Sequence, residues 1–187
     1  MSGTTRLESV RIRGFRSLAE VELTDLGATS GLIGANGSGK SNFIRFFEML
    51  SWMLRSARLG EFIERHGGAD DQLYGGNGTT PRMDAELALR TDSGRNEYRF
   101  SLAHVHPDRF MFSDEAFRFS RQGRATEARW AHLGSGHREA AIIDHCGSRF
   151  GAIWWSRNLD CADRDGKGSD FRDRLRARIT EAHVYGR

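Results

Sequence analysis

Residues 34–41, Gly34-Ala35-Asn36-Gly37-Ser38-Gly39-Lys40-Ser41, carry the Walker A pattern Gly-x4-Gly-Lys-Ser. Glycine at 34, 37 and 39 permits backbone angles that other residues resist, and it leaves room for phosphate oxygens to approach the main chain. The amides of Gly37, Ser38, Gly39, Lys40, Ser41 and Asn42 then converge as a nest of donors where a helix begins, and the helix dipole favours an anion there. Lys40 supplies a mobile point charge for β- and γ-phosphates, and Ser41 a hydroxyl for magnesium. The ligand that this set fits is a nucleotide triphosphate, ATP with Mg2+. A glycine-rich turn with an incidental lysine is the bland alternative. Context decides between them, because the chemistry requires a strand before the loop and a helix after it.

The flanking residues predict both. Leu32-Ile33 reads as the end of a short strand, and from Ser41 the period becomes helical. Phe43, Phe46, Phe47, Leu50 and Leu54 form one broad apolar face, with Glu48, Ser51 and Arg55 outside it. Upstream, Val10 and Ile12 alternate with Arg11 and Arg13, and Val21 and Leu23 alternate with Glu20 and Glu22. Period two predicts two half-buried strands joined by a turn at Gly14–Leu18. Downstream, a second short helix is expected at Glu61–His66, then a long flexible loop marked by Gly67-Gly68 and Gly75–Gly78.

Met83, Ala85, Leu87 and Leu89 alternate strictly, Asp92-Ser93-Gly94 turns the chain, and Tyr98, Phe100 and Leu102 alternate on the way back. Phe110 with Phe112, and Phe117 with Phe119, add one or two further strands to an antiparallel meander. Helices are expected at Thr126–His132 and His137–Asp144, a strand at Phe150–Trp155, and a last amphipathic helix capped by Ser169.

Other reactive residues form weaker patterns. His104 and His106 share a strand face, while His132, His137 and His145 lie near Cys146, but no accepted metal-ligand spacing is met. Cys146 and Cys161 suit a pair of idle thiols. Arg172, Arg174, Arg176 and Arg178 are interleaved with Asp170, Asp173 and Glu181, which reads as a solvated helix face rather than a DNA patch. The formal charge of +3 is compatible with nucleic acid without requiring it. With 12 Phe and 4 Trp the chain can build a core, so disorder is not the default. The N-terminus lacks the apolar stretch of a signal peptide, and no run of 18 apolar residues occurs. The expectation is a cytoplasmic protein without membrane contact.

Val10–Leu18 followed by Leu32–Asn42 resembles the start of the RecF/SMC-type ATPases, ABC-class P-loop proteins that include the bacterial overcoming-lysogenisation-defect nucleases and AAA-family ATPases found near anti-phage genes. The Phe15-Arg16-Ser17-Leu18 segment and Asn42 after Lys40-Ser41 favour that branch over ABC transporters. The resemblance covers roughly the first 120 residues. It implies Asn36 beside the γ-phosphate, and Phe15 or Arg16 near the adenine or ribose, against Phe15 as a core residue.

It also implies a Q-loop glutamine, a Ser-x-Gly signature and an Asp-Glu pair ending a hydrophobic strand. Gln122 stands after the strand block, where a Q-loop glutamine would help hold the metal; Gln72 lies in the glycine-rich loop. Ala140–His145 mimics the Asp-Glu strand, but His145 stands in place of the glutamate, and a helix with Ile142 and Ile143 in the core fits better. Gly134-Ser135-Gly136 comes too early for the signature and reads as a turn. No catalytic residue is assigned.

The expected fold class is α/β: a P-loop NTPase lobe of the ABC/RecF type over residues 1–122, with an antiparallel β subdomain, and a helical extension over 123–187. Two functions compete: an ATPase acting in DNA repair or phage defence, and a nucleotide-binding module that needs a second copy or a partner subunit, such as a nuclease, to complete its site. DNA is a candidate ligand.

Overall fold

The computed structural model describes residues 6–27, 30–92, 94–122 and 128–147, and the side chains of 145–147 are not among what it describes. Its strands are β1 (Arg6–Phe15), β2 (Leu18–Leu23), β3 (Arg82–Thr91), β4 (Gly94–Val105), β5 (Arg109–Arg121) and β6 (Ala131–Gly134). Two helices, α1 (Lys40–Ser56) and α2 (Leu59–Arg65), lie between β2 and β3, and 3-10 turns form at Asp70–Gln72 and Ala141–Gly147. The strands make one antiparallel sheet in the order β2-β1-β3-β4-β5-β6.

Alternation explains which face is covered. Val10, Ile12, Met83, Ala85, Leu87, Tyr98, Phe100 and Leu102 are buried on one face, together with Phe46, Met49, Leu50 and Met53 of α1. Each of the larger aliphatic and phenylalanine side chains among them contributes about 1.5–3 kcal/mol on leaving water. Phe15 at the end of β1 meets Phe46 edge to face, with ring centroids 5.7 Å apart. Ser51, expected outside the apolar stripe of α1, is buried within it.

The phenylalanines of β5 belong to one long strand. Register jumps from Ser101↔Asp114 to Leu102↔Phe112, leaving Ser113 as an extra residue. A bulge of this kind reverses the in-and-out parity of the strand. Phe110 and Phe112 are therefore buried before it, and Glu115 and Phe117 after it.

Three expectations are corrected. Leu32-Ile33 joins no strand, and Ile33 is 92% exposed. An extended segment becomes a strand when a neighbouring strand satisfies its amides and carbonyls, and the antiparallel sheet described here offers Leu32-Ile33 no pairing. Residues 131–134 form β6 against β5 instead of a helix; the apolar run is too short for periodicity to distinguish the two. The glycine-rich loop is folded, not loose. Asp70 accepts from the Asn77 amide at 2.6 Å, Asp108 accepts from the Asp70 amide at 2.8 Å, and Gln72 is fully buried.

Helix α2 begins two residues earlier than the expected Glu61–His66, at Leu59, where Glu139 accepts from the amides of Leu59 and Gly60 at 2.6 and 3.0 Å. Of the helix expected at His137–Asp144, only the 3-10 turn from Ala141 forms. Thr126, the strand expected at Phe150–Trp155 and the helix from Ser169 lie outside the described residues.

Candidate nucleotide site

The loop at residues 34–41 leads directly into α1. Gly37 and Gly39 have left-handed backbones, φ 84° and 92°, and Gly39 caps the helix at its N-terminus. These turns bring the loop to the positive end of a 17-residue helix, and within them the Ser38 amide donates to the Ala35 carbonyl at 3.2 Å. The left-handed backbone favours glycine at 39, and a Cβ there would also press Leu18 Cδ2 at 2.9 Å. The first turn of α1 carries no acidic residue to compete with an anion.

Lys40 lies across this concavity. Its Nζ donates to the carbonyls of Gly34 and Ala35 at 2.6 and 2.7 Å, and to Ser38 Oγ at 3.3 Å. Asn36, Gly37, Ser38 and Ser41 are exposed along the loop. The Ser41 hydroxyl, on the first turn of α1, is a hard oxygen beside the lysine. That chemistry suits magnesium, which keeps several waters and takes few protein ligands besides phosphate oxygens. Ser41 would hold such an ion, whose charge would offset that of the phosphates.

Asn42 has a second task. Its Nδ2 donates to Ser17 Oγ at 2.7 Å, so its side chain ties the loop to the β1–β2 turn. In that turn Phe15 is fully buried against α1 and is a core residue. Arg16 is left-handed, φ 49°, and its guanidinium donates to Gln72 Oε1 at 3.0 Å.

The other candidates lie apart from the loop. Gln122 follows β5 in an exposed turn, next to Arg121, which pairs with Gly94. Gly94 pairs with Thr91, beside the Arg6 end of β1, whereas the loop abuts the residues just after Phe15. A nine-residue span of strand puts roughly 30 Å between the two ends, so Gln122 is not brought to Ser41. Asp144 is exposed on the 3-10 turn while Ile142 is buried, so Ala140–Asp144 is no strand. Gly134 ends β6 and Gly136 lies in the bend after it, both left-handed, and the Gly136 amide donates to the Phe112 carbonyl at 2.8 Å.

His104 pairs with Asp108 at 3.2 Å and His132 with Asp114 at 3.4 Å. Among the described residues no group of three or more His, Cys, Asp or Glu could hold a metal ion. Cys161 lies outside them.

Sequence reasoning missed one polar centre entirely. Glu115, completely buried, accepts from Tyr98 Oη at 2.7 Å, His137 Nε2 at 2.7 Å, and the amides of Ala141 and Ile142 at 2.9 and 3.2 Å. Burial, and then the charge of Glu115, push the Tyr98 phenol well above its ordinary range. The outer face of the sheet is a mosaic of ion pairs. Glu8 holds Arg90 and Arg95, Glu97 holds Arg95 and Arg118, and Arg99 and Arg118 stack on Trp130.

A family model described as "AAA domain, putative AbiEii toxin, Type IV TA system" matches residues 30–185. The DNA replication and repair protein RecF of Anaeromyxobacter sp. (strain Fw109-5) is 36% identical over 88 residues, covering 44% of this chain and 24% of that protein. RecF of Anaeromyxobacter dehalogenans (strain 2CP-C) is 35% identical over 88 residues, covering 44% of this chain and 23% of that protein. The chain thus spans about a quarter of the length of these relatives. A solved structure from work on ATP-driven dimerization and DNA-stimulated activation of SMC ATPases covers 95% of this chain and 98% of its own, at 15% identity and a TM-score of 0.42. No helix among the described residues is long and apolar enough to cross a membrane.

Proposed function

The chain belongs to the family described as "AAA domain, putative AbiEii toxin, Type IV TA system", and from that premise we propose that it binds MgATP through Gly34–Ser41. The observation that carries this reading is the position of Lys40. Its ammonium bridges the Gly34 and Ala35 carbonyls across a loop with left-handed glycines at 37 and 39, directly before the N-terminus of α1. Phosphate oxygens entering this space meet a cation and a helix N-terminus together. Ser41 would take one position on the magnesium, and Asn36 on the exposed rim would face the γ-phosphate.

The setting is DNA repair or phage defence. The names of its relatives, replication and repair for one group and toxin–antitoxin for the other, support both. The paired arginines on the outer sheet face argue against that surface as a bare phosphate-binding patch, so DNA would be met elsewhere or through a partner.

A second reading has its own support. Lys40 and Ser41 contact the ground state and the transition state alike, and uniform binding does not accelerate chemistry. Asp144 stands on a 3-10 turn followed by His145, not on a strand followed by glutamate. On this reading the chain binds ATP tightly but hydrolyses it when a second copy or a partner subunit completes the site.

Calorimetric titration with MgATP tests the shared claim. Lys40→Ala removes a charge-assisted contact worth about 1.5–3 kcal/mol, so affinity should fall at least roughly tenfold. An unchanged dissociation constant in a folded variant would sink the assignment. Phosphate release by the pure chain, with and without DNA, then separates the two readings: turnover near about one per second means a complete site.

A further inference from the structure

The β1–β2 turn meets the phosphate loop at two points. Ser17 Oγ accepts from Asn42 Nδ2 at 2.7 Å, and the Leu18 side chain packs against Gly39, its Cδ2 2.9 Å from where a Cβ would stand. The turn holds this shape because Arg16 is left-handed, a conformation that a residue with a Cβ keeps only where its surroundings impose it. Those surroundings are Gln72. The Arg16 amide donates to the Gln72 carbonyl at 2.9 Å, and the Arg16 guanidinium donates to Gln72 Oε1 at 3.0 Å.

Gln72 is in turn fixed. It is fully buried, its Nε2 donates to the carbonyls of His66 and Gly68 at 2.7 and 3.3 Å, and its neighbour Leu73 bridges to Phe15. Every polar group of this side chain is therefore committed, the oxygen to Arg16 and the nitrogen to the glycine-rich loop. A buried amide with both ends satisfied is a rigid support.

We infer that Gln72 is a positioning residue for the nucleotide site, holding Arg16 left-handed so that Ser17 and Leu18 brace Asn42 and Gly39. Its side-chain hydrogen bonds reach Arg16, His66 and Gly68 and not residues 34–41, so it acts through the turn. This inference rests on the nucleotide-binding reading, and the Lys40→Ala titration tells the failure of one from the failure of the other. If Lys40→Ala leaves MgATP affinity unchanged, the reading itself fails; if Lys40 matters and Gln72 does not, this inference alone fails.

The test is a double-mutant cycle on MgATP affinity, measured by calorimetry. Gln72→Met keeps the length of the side chain and removes both its acceptor and its donors. Arg16→Gly removes the guanidinium and makes the left-handed backbone natural for that residue. Gln72→Met alone should weaken MgATP roughly fivefold or more, the scale of one hydrogen bond. In the Arg16→Gly background the same change should alter affinity less than about twofold, because no arginine remains to be held. An equal loss in both backgrounds would show that Gln72 acts through the His66–Gly68 carbonyls, and the inference would fall. If Gln72→Met does not fold, Ser17→Ala probes the same linkage from its exposed end. It should weaken MgATP roughly threefold, and unchanged affinity there overturns the proposal.

Discussion

Replacing Glu115 with glutamine should cost this protein much of its stability although the two side chains have the same shape. The carboxylate faces four donors. Oε1 accepts from Tyr98 Oη and the Ile142 amide, and Oε2 from His137 Nε2 and the Ala141 amide. A glutamine must put its NH2 group in place of one oxygen. The tyrosine hydroxyl can turn to accept, and a neutral histidine can change tautomer, but a backbone N–H cannot. Whichever way the amide is placed, one of the Ala141 and Ile142 amides loses the oxygen it donates to at a buried site. That costs about 1–3 kcal/mol, and the three surviving bonds lose their charge assistance, so a total near 3 kcal/mol is expected. For a domain of this size the melting temperature should drop by roughly 6–12 °C. Urea unfolding followed by circular dichroism, beside a thermal melt, measures both. Glu86→Gln on the exposed outer face is the control and should stay within about 0.5 kcal/mol of the parent. If Glu115→Gln also does so, the four-donor account of Glu115 is wrong.

Two further outcomes follow from the same structure. Ser41→Ala should weaken ATP binding far more in magnesium than in EDTA if its hydroxyl serves the metal; equal effects in both buffers would make it a helix-start residue only. For Tyr98 the sign runs as linkage requires. Its folded pKa is raised above the unfolded value of about 10, so its contribution is whole below pH 10 and is lost as the pH climbs toward the folded value. Tyr98→Phe should cost about 1–2 kcal/mol at neutral pH and flatten the alkaline fall in stability, and an unaltered alkaline slope in urea titrations would contradict this.

The strands and α1 were legible because their signals are periodic and local. Val10 and Ile12, or Met83, Ala85 and Leu87, declare a buried face by alternation alone. The turn into α1 was legible because glycine types at 37 and 39 suit the left-handed backbone found there, and the helical period starts directly after them. Glu115 was not. Counting outward from Phe110 and Phe112 puts position 115 toward solvent, and only the extra residue at Ser113 turns it inward. A bulge leaves no reliable mark in composition, so parity beyond it is lost. Gln72 was hidden for a related reason. Glycines on both sides suggest a loose loop, whereas its order comes from side chains distant in sequence, Asp108 and Arg16. Leu32-Ile33 failed oppositely: the local pattern is strand-like, but pairing depends on a neighbour that no local pattern reports.

These cases share a physical cause that bears on how the site is held. Where the chain is regular, apolar burial positions it. Where it is irregular, one buried polar side chain does so, Glu115 for the segment at 137–142 and Gln72 for the β1–β2 turn. The phosphate loop sits between these regimes. Its downstream half is carried by α1, whose Phe46, Met49 and Met53 are fully buried, and is braced by Ser17 and Leu18. Its upstream half, Leu32 to Ala35, joins no strand, and Lys40 donates to the Gly34 and Ala35 carbonyls there. Lys40 thus spans the two halves before any phosphate does. An ammonium has three N–H donors, and the longest of its three bonds here is the one to Ser38 Oγ at 3.3 Å. On the proposed reading that donor is the one to turn to a phosphate, while the two carbonyl bonds go on holding the upstream half against α1.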